Sequence, residues 1–223
     1  MQDKIEISIP DKELKEKASK VRKAAIDICQ TSNEERRDAL NQMADSLFHY
    51  SNEILEANDY DFDVAQKKGI SQSLLSRLKL SKEKLLHGID GVRKVRDLQD
   101  PIGQIQINKK LAAGLILQRK TVPIGVIGVI FESRPDAFIQ ISSLALRSGN
   151  AAILKGGSEA NKTNQAIFKA LQSGLKKSCL DQNSLCLLTS RKDSMSMLHL
   201  DQYISLIIPR GSNDLVKFIQ SNT

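Results

Sequence analysis

Residues 121–157 read TVPIGVIGVIFESRPDAFIQISSLALRSGNAAILKGG, and they restrict the fold more than any other stretch. Two short apolar runs, Val126 to Phe131 and Ala151 to Leu154, flank an amphipathic segment from Asp136 to Arg147. Short runs of small and β-branched residues predict strands buried on both faces, and the segment between them predicts a helix. Strand, crossover helix and parallel strand form one βαβ unit. Ligands of such sheets bind outside the carboxyl ends of the strands. The two polar clusters, Glu132-Ser133-Arg134-Pro135 and Lys155-Gly156-Gly157, fall at those ends.

The pattern continues downstream. A helix is expected from Glu159 to Lys176, a strand over 184–188, a short helix from Ser194 to Leu200, and a fourth strand over Ile204-Ser205-Leu206-Ile207-Ile208. Pro209-Arg210-Gly211-Ser212-Asn213 is expected to turn into a last helix, Asp214 to Gln220. Strands alternating with helices predict an α/β, parallel, doubly wound sheet over residues 122–223.

Upstream the chain reads as helical. Leu14, Ala18, Val21, Ala25 and Ile28 recur at helical spacing, and Thr31-Ser32-Asn33 holds N-cap candidates. A second helix should run to about Ala57 with a break near Tyr50-Ser51-Asn52, followed by a separate short helix at Asp59–Lys67, a turn of helix from Ser71, and another helix capped by Ser81. Residues 1–101 therefore predict an N-terminal helical layer on the sheet. After Asp100-Pro101 the period changes to two, and residues 102–121 predict a β-hairpin with one polar face, its strands joined by the link KKLAAG. An exposed hairpin of that kind pairs readily with another subunit.

Composition narrows the function classes. At 40% hydrophobic and 26% charged, the 223 residues suit an ordinary globular protein. No apolar run approaches the roughly 20 residues that span a bilayer. The charged start, MQDKIEISIPDKELKEKA, lacks a signal-peptide core and carries too many acids for a transit peptide, so a cytoplasmic location is expected. Cys29, Cys179 and Cys186, with His49, His87 and His199, have no metal-ligand or disulfide spacing. The net charge of +7 favours anionic partners. Most basic residues alternate with acids on helix faces, and with 4% aromatics there is no stacking platform, so a phosphorylated small ligand fits better than nucleic acid.

Three features at strand ends suit phosphate. Lys155 is a cation beside Gly156-Gly157, where backbone can approach a ligand closely. Arg210-Gly211-Ser212 opens a helix, where N–H groups and the dipole favour anions. Ser133 and Arg134 offer a hydroxyl and a guanidinium, with Pro135 setting a helix start. Singly, each is equally a turn or a cap. No GxGxxG fingerprint is present, so an ordinary dinucleotide motif is not indicated.

VPIGVIGVIFESRPD, SGNAAILKGGSEA and YISLIIPRGSNDL resemble the N-terminal half of the γ-glutamyl phosphate reductase family, as do EANDYD, GISQSLLSRLKL and GVRKVRDLQDPIGQI upstream. The resemblance covers the chain after about residue 10 and implies an aldehyde dehydrogenase-like fold. It implies reduction of glutamate 5-phosphate by NADPH to glutamate 5-semialdehyde and phosphate, in proline synthesis, with glutamate 5-kinase as a partner. By the same resemblance Lys155 contacts the adenosine ribose and its 2′-phosphate, and Gly157, Arg210, Gly211 and Ser212 also bind the cofactor, with Gly211 and Ser212 near its pyrophosphate. Ser133 takes an oxyanion-side position, Arg134 meets a substrate phosphate or carboxylate, and residues 102–121 match an oligomerisation arm.

The family's chemistry needs a thiolate that attacks the acyl phosphate, and the resemblance places it downstream of the PRG turn. Cys29 sits on a helix, Cys186 is expected inside a buried strand, and only Cys179, beside Lys176 and Lys177, is placed for a lowered thiol pKa. The expectation is a cofactor-binding half without its nucleophile, inactive alone. A non-catalytic nucleotide-binding or assembly module is the rival reading.

Overall fold

The structure, a computed structural model, describes residues 10–190 and 195–222, with the side chain of Asp214 excepted. Five helices come first: α1 (Lys12–Cys29), α2 (Asn33–His49), α3 (Ser51–Lys67), α4 (Gln72–Leu78) and α5 (Lys82–Asp97). A hairpin follows, β1 (Ile105–Ala112) and β2 (Leu115–Lys120). The α/β part contains β3 (Val126–Phe131), α6 (Pro135–Arg147), β4 (Ala151–Lys155), α7 (Asn161–Leu175), β5 (Leu185–Leu188), β6 (Leu206–Arg210) and α8 (Asn213–Gln220). Of the short helix expected at Ser194–Leu200, residues 195–197 are helical, and its start at Ser194 lies outside the described residues, as do residues 1–9.

Caps explain where the helices begin. The Asp11 carboxylate accepts from the Leu14 N–H at 2.9 Å. At α2, Ser32 and Glu35 form a reciprocal capping box, with the Glu35 carboxylate accepting from the Ser32 N–H at 2.7 Å and the Ser32 hydroxyl from the Glu35 N–H at 3.2 Å. Such caps contribute about 1 kcal/mol each. Tyr50, at φ −89° and ψ 10°, ends α2 and starts α3, so the expected break is there. The separate helix at Asp59–Lys67 is not: α3 runs unbroken to Lys67.

The polar run Asn58-Asp59-Tyr60-Asp61, where the two helices were expected to meet, is partly buried. Asn58 accepts from the Leu80 N–H at 2.7 Å and donates to the Leu78 carbonyl at 3.0 Å. Asp61 Oδ2 accepts from both the backbone N–H and the hydroxyl of Thr163, each at 2.8 Å. That carboxylate sits on the first turn of α7, where the dipole favours it. The two side chains lock α3 to the α4–α5 connection and to α7.

The main sheet is parallel throughout, in the order β5-β4-β3-β6. β3 lies inside it, with Ile130 opposite Lys155 on β4 and Phe131 opposite Arg210 on β6. Alternation divides its side chains between two cores. Ile127, Val129 and Phe131, with Ala152, Leu154 and Leu185, pack against α2, α5, α6 and α7. Val126, Ile130, Ala151, Ile153 and Leu188 pack against α1 and the segment 197–204. The N-terminal helices thus cover both faces of the sheet. Gly174 on α7 permits a close helix crossing: a Cβ there would stand 2.6 Å from the Met43 Cα and 2.8 Å from the Gln42 carbonyl on α2.

Two boundaries differ from expectation. The fourth strand is 206–210, two residues later than 204–208, so Pro209 and Arg210 belong to the strand and not to the turn. Pro209 is tolerated because β6 has no neighbour on its other side among the described residues. In the hairpin, Lys109 to Ala112 of the expected link are strand residues, and only Ala113 and Gly114 turn, with Gly114 at φ +77°. Every residue of β1 and β2 is exposed, on both faces. Ile105, Ile107, Leu111, Leu115, Ile116 and Leu117 are the apolar side chains it presents. Thr121 ties its base, donating from its hydroxyl to the Pro101 carbonyl at 2.6 Å.

Among the described residues no helix is long and apolar enough to cross a membrane.

Candidate functional site

From β3 the chain winds to β4 and β5 on one side, then returns to place β6 on the other side of β3. The switch point of the sheet therefore lies between β3 and β6, where a crevice opens beyond the carboxyl ends. A cavity of about 390 Å³ occupies it, lined by Phe131, Glu132 and Arg134 after β3, by Pro209, Arg210 and Gly211 at the end of β6, and by Arg77, Ala137 and Val216. A second cavity, about 330 Å³, adjoins on the side of α4, α5 and α6 and includes Ser76, Arg77, Lys84, His87, Arg134 and Asp136. Arg77 and Arg134 line both.

The residues singled out in the sequence gather at these strand ends, and the polar atoms of Ser133, Arg134, Lys155 and Ser212 are already engaged. Ser133 is buried and has φ +39°, a left-handed conformation that costs a non-glycine residue about 1–3 kcal/mol. Its N–H donates to Glu159 Oε1 at 2.8 Å, and its hydroxyl donates to the same oxygen. Arg134 is exposed and pairs with Asp136 at 3.6 Å, while Pro135 opens α6 as the sequence indicates. Lys155 ends β4 almost fully buried, and its ammonium donates to the Gly156 carbonyl. Ser212 caps α8, its hydroxyl accepting from the Leu215 N–H at 3.3 Å. Its own N–H donates to Glu132 Oε2 at 3.0 Å.

Glu159 had no role in the sequence reading beyond beginning a helix; it lies in a 3-10 turn at Ser158–Ala160. Carboxylates are thus the anions seated on the donors of this site. Glu132 takes the N-terminus of α8, and Glu159 takes the turn after β3. The glycines make room for them. A Cβ on Gly157 would collide with the Glu159 carboxylate, and one on Gly211 would stand 2.6 Å from Glu132 Oε2 and 2.7 Å from Leu215 Cδ2. A Cβ on Gly156 would strike Asn164 and the Phe131 ring. The signal available in the sequence was the glycine itself beside an acid two residues away, which is too common to single out.

The cysteines stand apart from the crevice, and none of them lines either cavity. Cys29 and Cys179 are exposed and Cys186 is partly buried, not enclosed as its strand position suggested. The lowered pKa expected for Cys179 is reversed: loss of solvent pushes the thiol up, and the Glu35 carboxylate beside it adds to the shift. Among the described residues no three His, Cys, Asp or Glu side chains are grouped to hold a metal ion.

No family model matches the chain. Curated proteins and solved structures do. A γ-glutamyl phosphate reductase of Prochlorococcus marinus strain MIT 9312 is 68% identical over 218 residues, 98% of this chain and 50% of the relative. The γ-glutamyl phosphate reductase of strain MIT 9515 is 65% identical over 223 residues, 100% of this chain and 51% of the relative. The crystal structure of the γ-glutamyl phosphate reductase of Thermotoga maritima superposes with a TM-score of 0.91 at 37% identity, covering 95% of this chain and 51% of that one. A probable aldehyde dehydrogenase of Listeria monocytogenes shares the fold, with a TM-score of 0.71 at 14% identity over 94% of this chain and 44% of its own. The chain spans about half the length of the curated relatives it matches.

Proposed function

From a chain that matches the N-terminal half of γ-glutamyl phosphate reductases along its whole length, we propose that it provides the cofactor side of the NADPH-dependent reduction of L-glutamate 5-phosphate to L-glutamate 5-semialdehyde and phosphate, in proline biosynthesis in the cytoplasm. That full-length match carries the reading. The crevice at the switch point supports it, because its place in a parallel sheet is where dinucleotides bind.

The residues present suit such a cofactor. Lys155 is a nearly buried cation at the end of β4, and Gly157 and Gly211 leave backbone accessible to anions. Gly211 and Ser212 lead into α8, and the N–H of its N-cap Ser212 already holds a carboxylate, as an anion site should. Arg210 ends the strand alongside, lining the crevice. Lys155, Gly157, Arg210, Gly211 and Ser212 would hold the cofactor, which supplies the hydride when bound. Glu132, on the connecting segment after β3, would give up the Ser212 N–H to a phosphate of the cofactor. Arg134 meets an oxyanion of the substrate. Ser133 polarises the acyl carbonyl once its hydroxyl leaves Glu159, since one hydroxyl proton cannot serve both acceptors.

An acyl phosphate must come from a reaction that phosphorylates the γ-carboxylate, so glutamate 5-kinase is the partner reaction. None of Cys29, Cys179 and Cys186 serves as the nucleophile in this reading, and the 223 residues alone turn over no substrate. The experiment is a titration of the chain with NADPH and NADH by calorimetry, with Lys155→Ala beside the wild type. Saturable NADPH binding, weakened about tenfold in the variant and for NADH, is the expected result. Folded protein that binds neither dinucleotide overturns the reading.

A second role rests on the hairpin. With every residue of β1 and β2 exposed and six large apolar side chains among them, residues 102–121 pair with a second copy of the chain. Size-exclusion mass should fall on deletion of 102–121, and an unchanged mass removes this role.

A further inference from the structure

The two adjoining cavities share Arg77 and Arg134, and the two guanidiniums differ in one respect. Arg134 is paired with Asp136. Arg77, exposed on α4, has neither a hydrogen bond nor an ion pair among the described residues. The other groups of the second cavity leave its charge uncancelled. Lys84 is occupied by carbonyls at the end of α4, 2.8 Å from that of Lys79 and 3.4 Å from that of Ser76. His87 lines the wall, and Asp136, the single carboxylate there, is held by Arg134. No residue of β4, β6 or α8 reaches this cavity. It therefore lies away from Lys155 and Ser212, toward α6.

We infer that Arg77 is a substrate-binding residue: with Arg134 it forms a pair of guanidiniums, one from the helical layer and one from the sheet, that binds an oxyanion of the phosphorylated substrate where the two cavities meet. This rests on the reductase reading above. A guanidinium with five unengaged donors binds phosphate or carboxylate through two parallel hydrogen bonds, which an ammonium cannot reproduce. Glutamate 5-phosphate carries oxyanions at both ends, and two joined cavities with a shared cationic wall accept an elongated dianion. The selection is by charge: a neutral γ-amide removes the oxyanion at that end and leaves only the α-carboxylate for the guanidinium pair.

The test titrates the 223-residue chain with inorganic phosphate, L-glutamate and L-glutamine, followed by NMR shifts of the arginine side chains, for wild type, R77Q and R77K. Lys110→Gln on the hairpin is the control. Inorganic phosphate reports the phosphoryl end, and glutamine, which shares only the α-carboxylate with glutamate, separates the two carboxylate ends. Affinity for the bound oxyanion should fall about tenfold in R77Q and recover only partly, to about threefold below wild type, in R77K; glutamine should bind only where the α-carboxylate is the end that is held, and then with the same loss in R77Q. NADPH affinity, measured on the same proteins, should stay within about twofold in R77Q. Equal oxyanion affinity in wild type and R77Q overturns the inference, as does a wild type that binds neither phosphate nor glutamate. An NADPH affinity that falls in step with phosphate assigns Arg77 to the cofactor and overturns it too. If the oxyanion result holds while NADPH fails to bind, the cofactor reading fails by itself. Since Arg77 has no partner to lose, the thermal midpoint of R77Q should match wild type, and circular dichroism verifies this in the same samples.

Discussion

Asp61 and Glu132 do the same thing in two different settings. Each places a carboxylate on one backbone N–H at the start of a helix, that of Thr163 in the first turn of α7 for Asp61 and that of the N-cap Ser212 of α8 for Glu132. Asp61 is buried, accepts twice from Thr163, and lies beside Asn58, which is likewise fully engaged. Glu132 makes one bond at the rim of an open crevice, against a glycine. Removing the first carboxylate strands donors away from water, whereas removing the second leaves an N–H that water can reach. The first junction is a fixture of the fold. The second is a seat that another anion can take.

The largest effect that bears on this contrast is expected at Gly174, at the other end of the helix that the first junction holds. Gly174→Ala drives a methyl into the backbone of Met43 and Gln42, which cannot rotate away. About 3 kcal/mol of stability should be lost, read from urea unfolding. Asp61→Ala comes next, at about 2–3 kcal/mol in the same assay, because the Thr163 N–H and hydroxyl lose a charged acceptor in the interior. A loss below about 0.5 kcal/mol for Asp61→Ala would make the two carboxylates equivalent and dissolve the comparison. At the crevice, Glu132→Gln should leave stability within about 0.5 kcal/mol and tighten NADPH binding about threefold, since a negative competitor is gone. Weaker binding in that variant would mean that Glu132 organises the seat. Gly211→Ala should cost least, under about 1 kcal/mol, because the atoms it meets are the ends of the Glu132 and Leu215 side chains, which can swing aside. Outside both junctions, Cys179 should be alkylated more slowly at neutral pH than a free cysteine peptide. Its thiol is pushed up, so less of it is thiolate until the pH is raised.

The main architecture was legible because its signals are local. Val126 to Phe131 and Ala151 to Leu154 are strands wherever they occur at that length and composition, and Ser32, Ser81 and Pro135 mark helix starts by chemistry confined to a few residues. The errors share one cause, partners distant in sequence. A helix boundary was expected near Asn58, and nothing nearby indicates that Asn58 and Asp61 would be satisfied by Leu80 and Thr163 within one continuous helix. Pro209 looked like a turn because only the sheet order makes β6 an edge. The strand-end positions of Lys155, Arg134 and Ser212 were legible from local pattern alone. The placement of Glu159 and Arg77 near those ends was not, since each comes from another element. Cys179 was misjudged for the same reason: Lys176 and Lys177 are its neighbours in sequence, and Glu35 is its neighbour in space.

The hairpin has a consequence for how the molecule opens. Among the described residues its strands contribute no side chain to either core, and an isolated two-stranded ribbon is marginal in water. Its order is therefore set apart from the stability of the two cores. In a monomer, the amides of Ile107, Lys109 and Leu117 should exchange with deuterium by local fraying, within the dead time of an ordinary experiment, while those of Val129 and Ile153 wait for global unfolding. The arm then acts as a clock for association: its exchange slows only while something else covers it, and the slowing reports how long that cover stays.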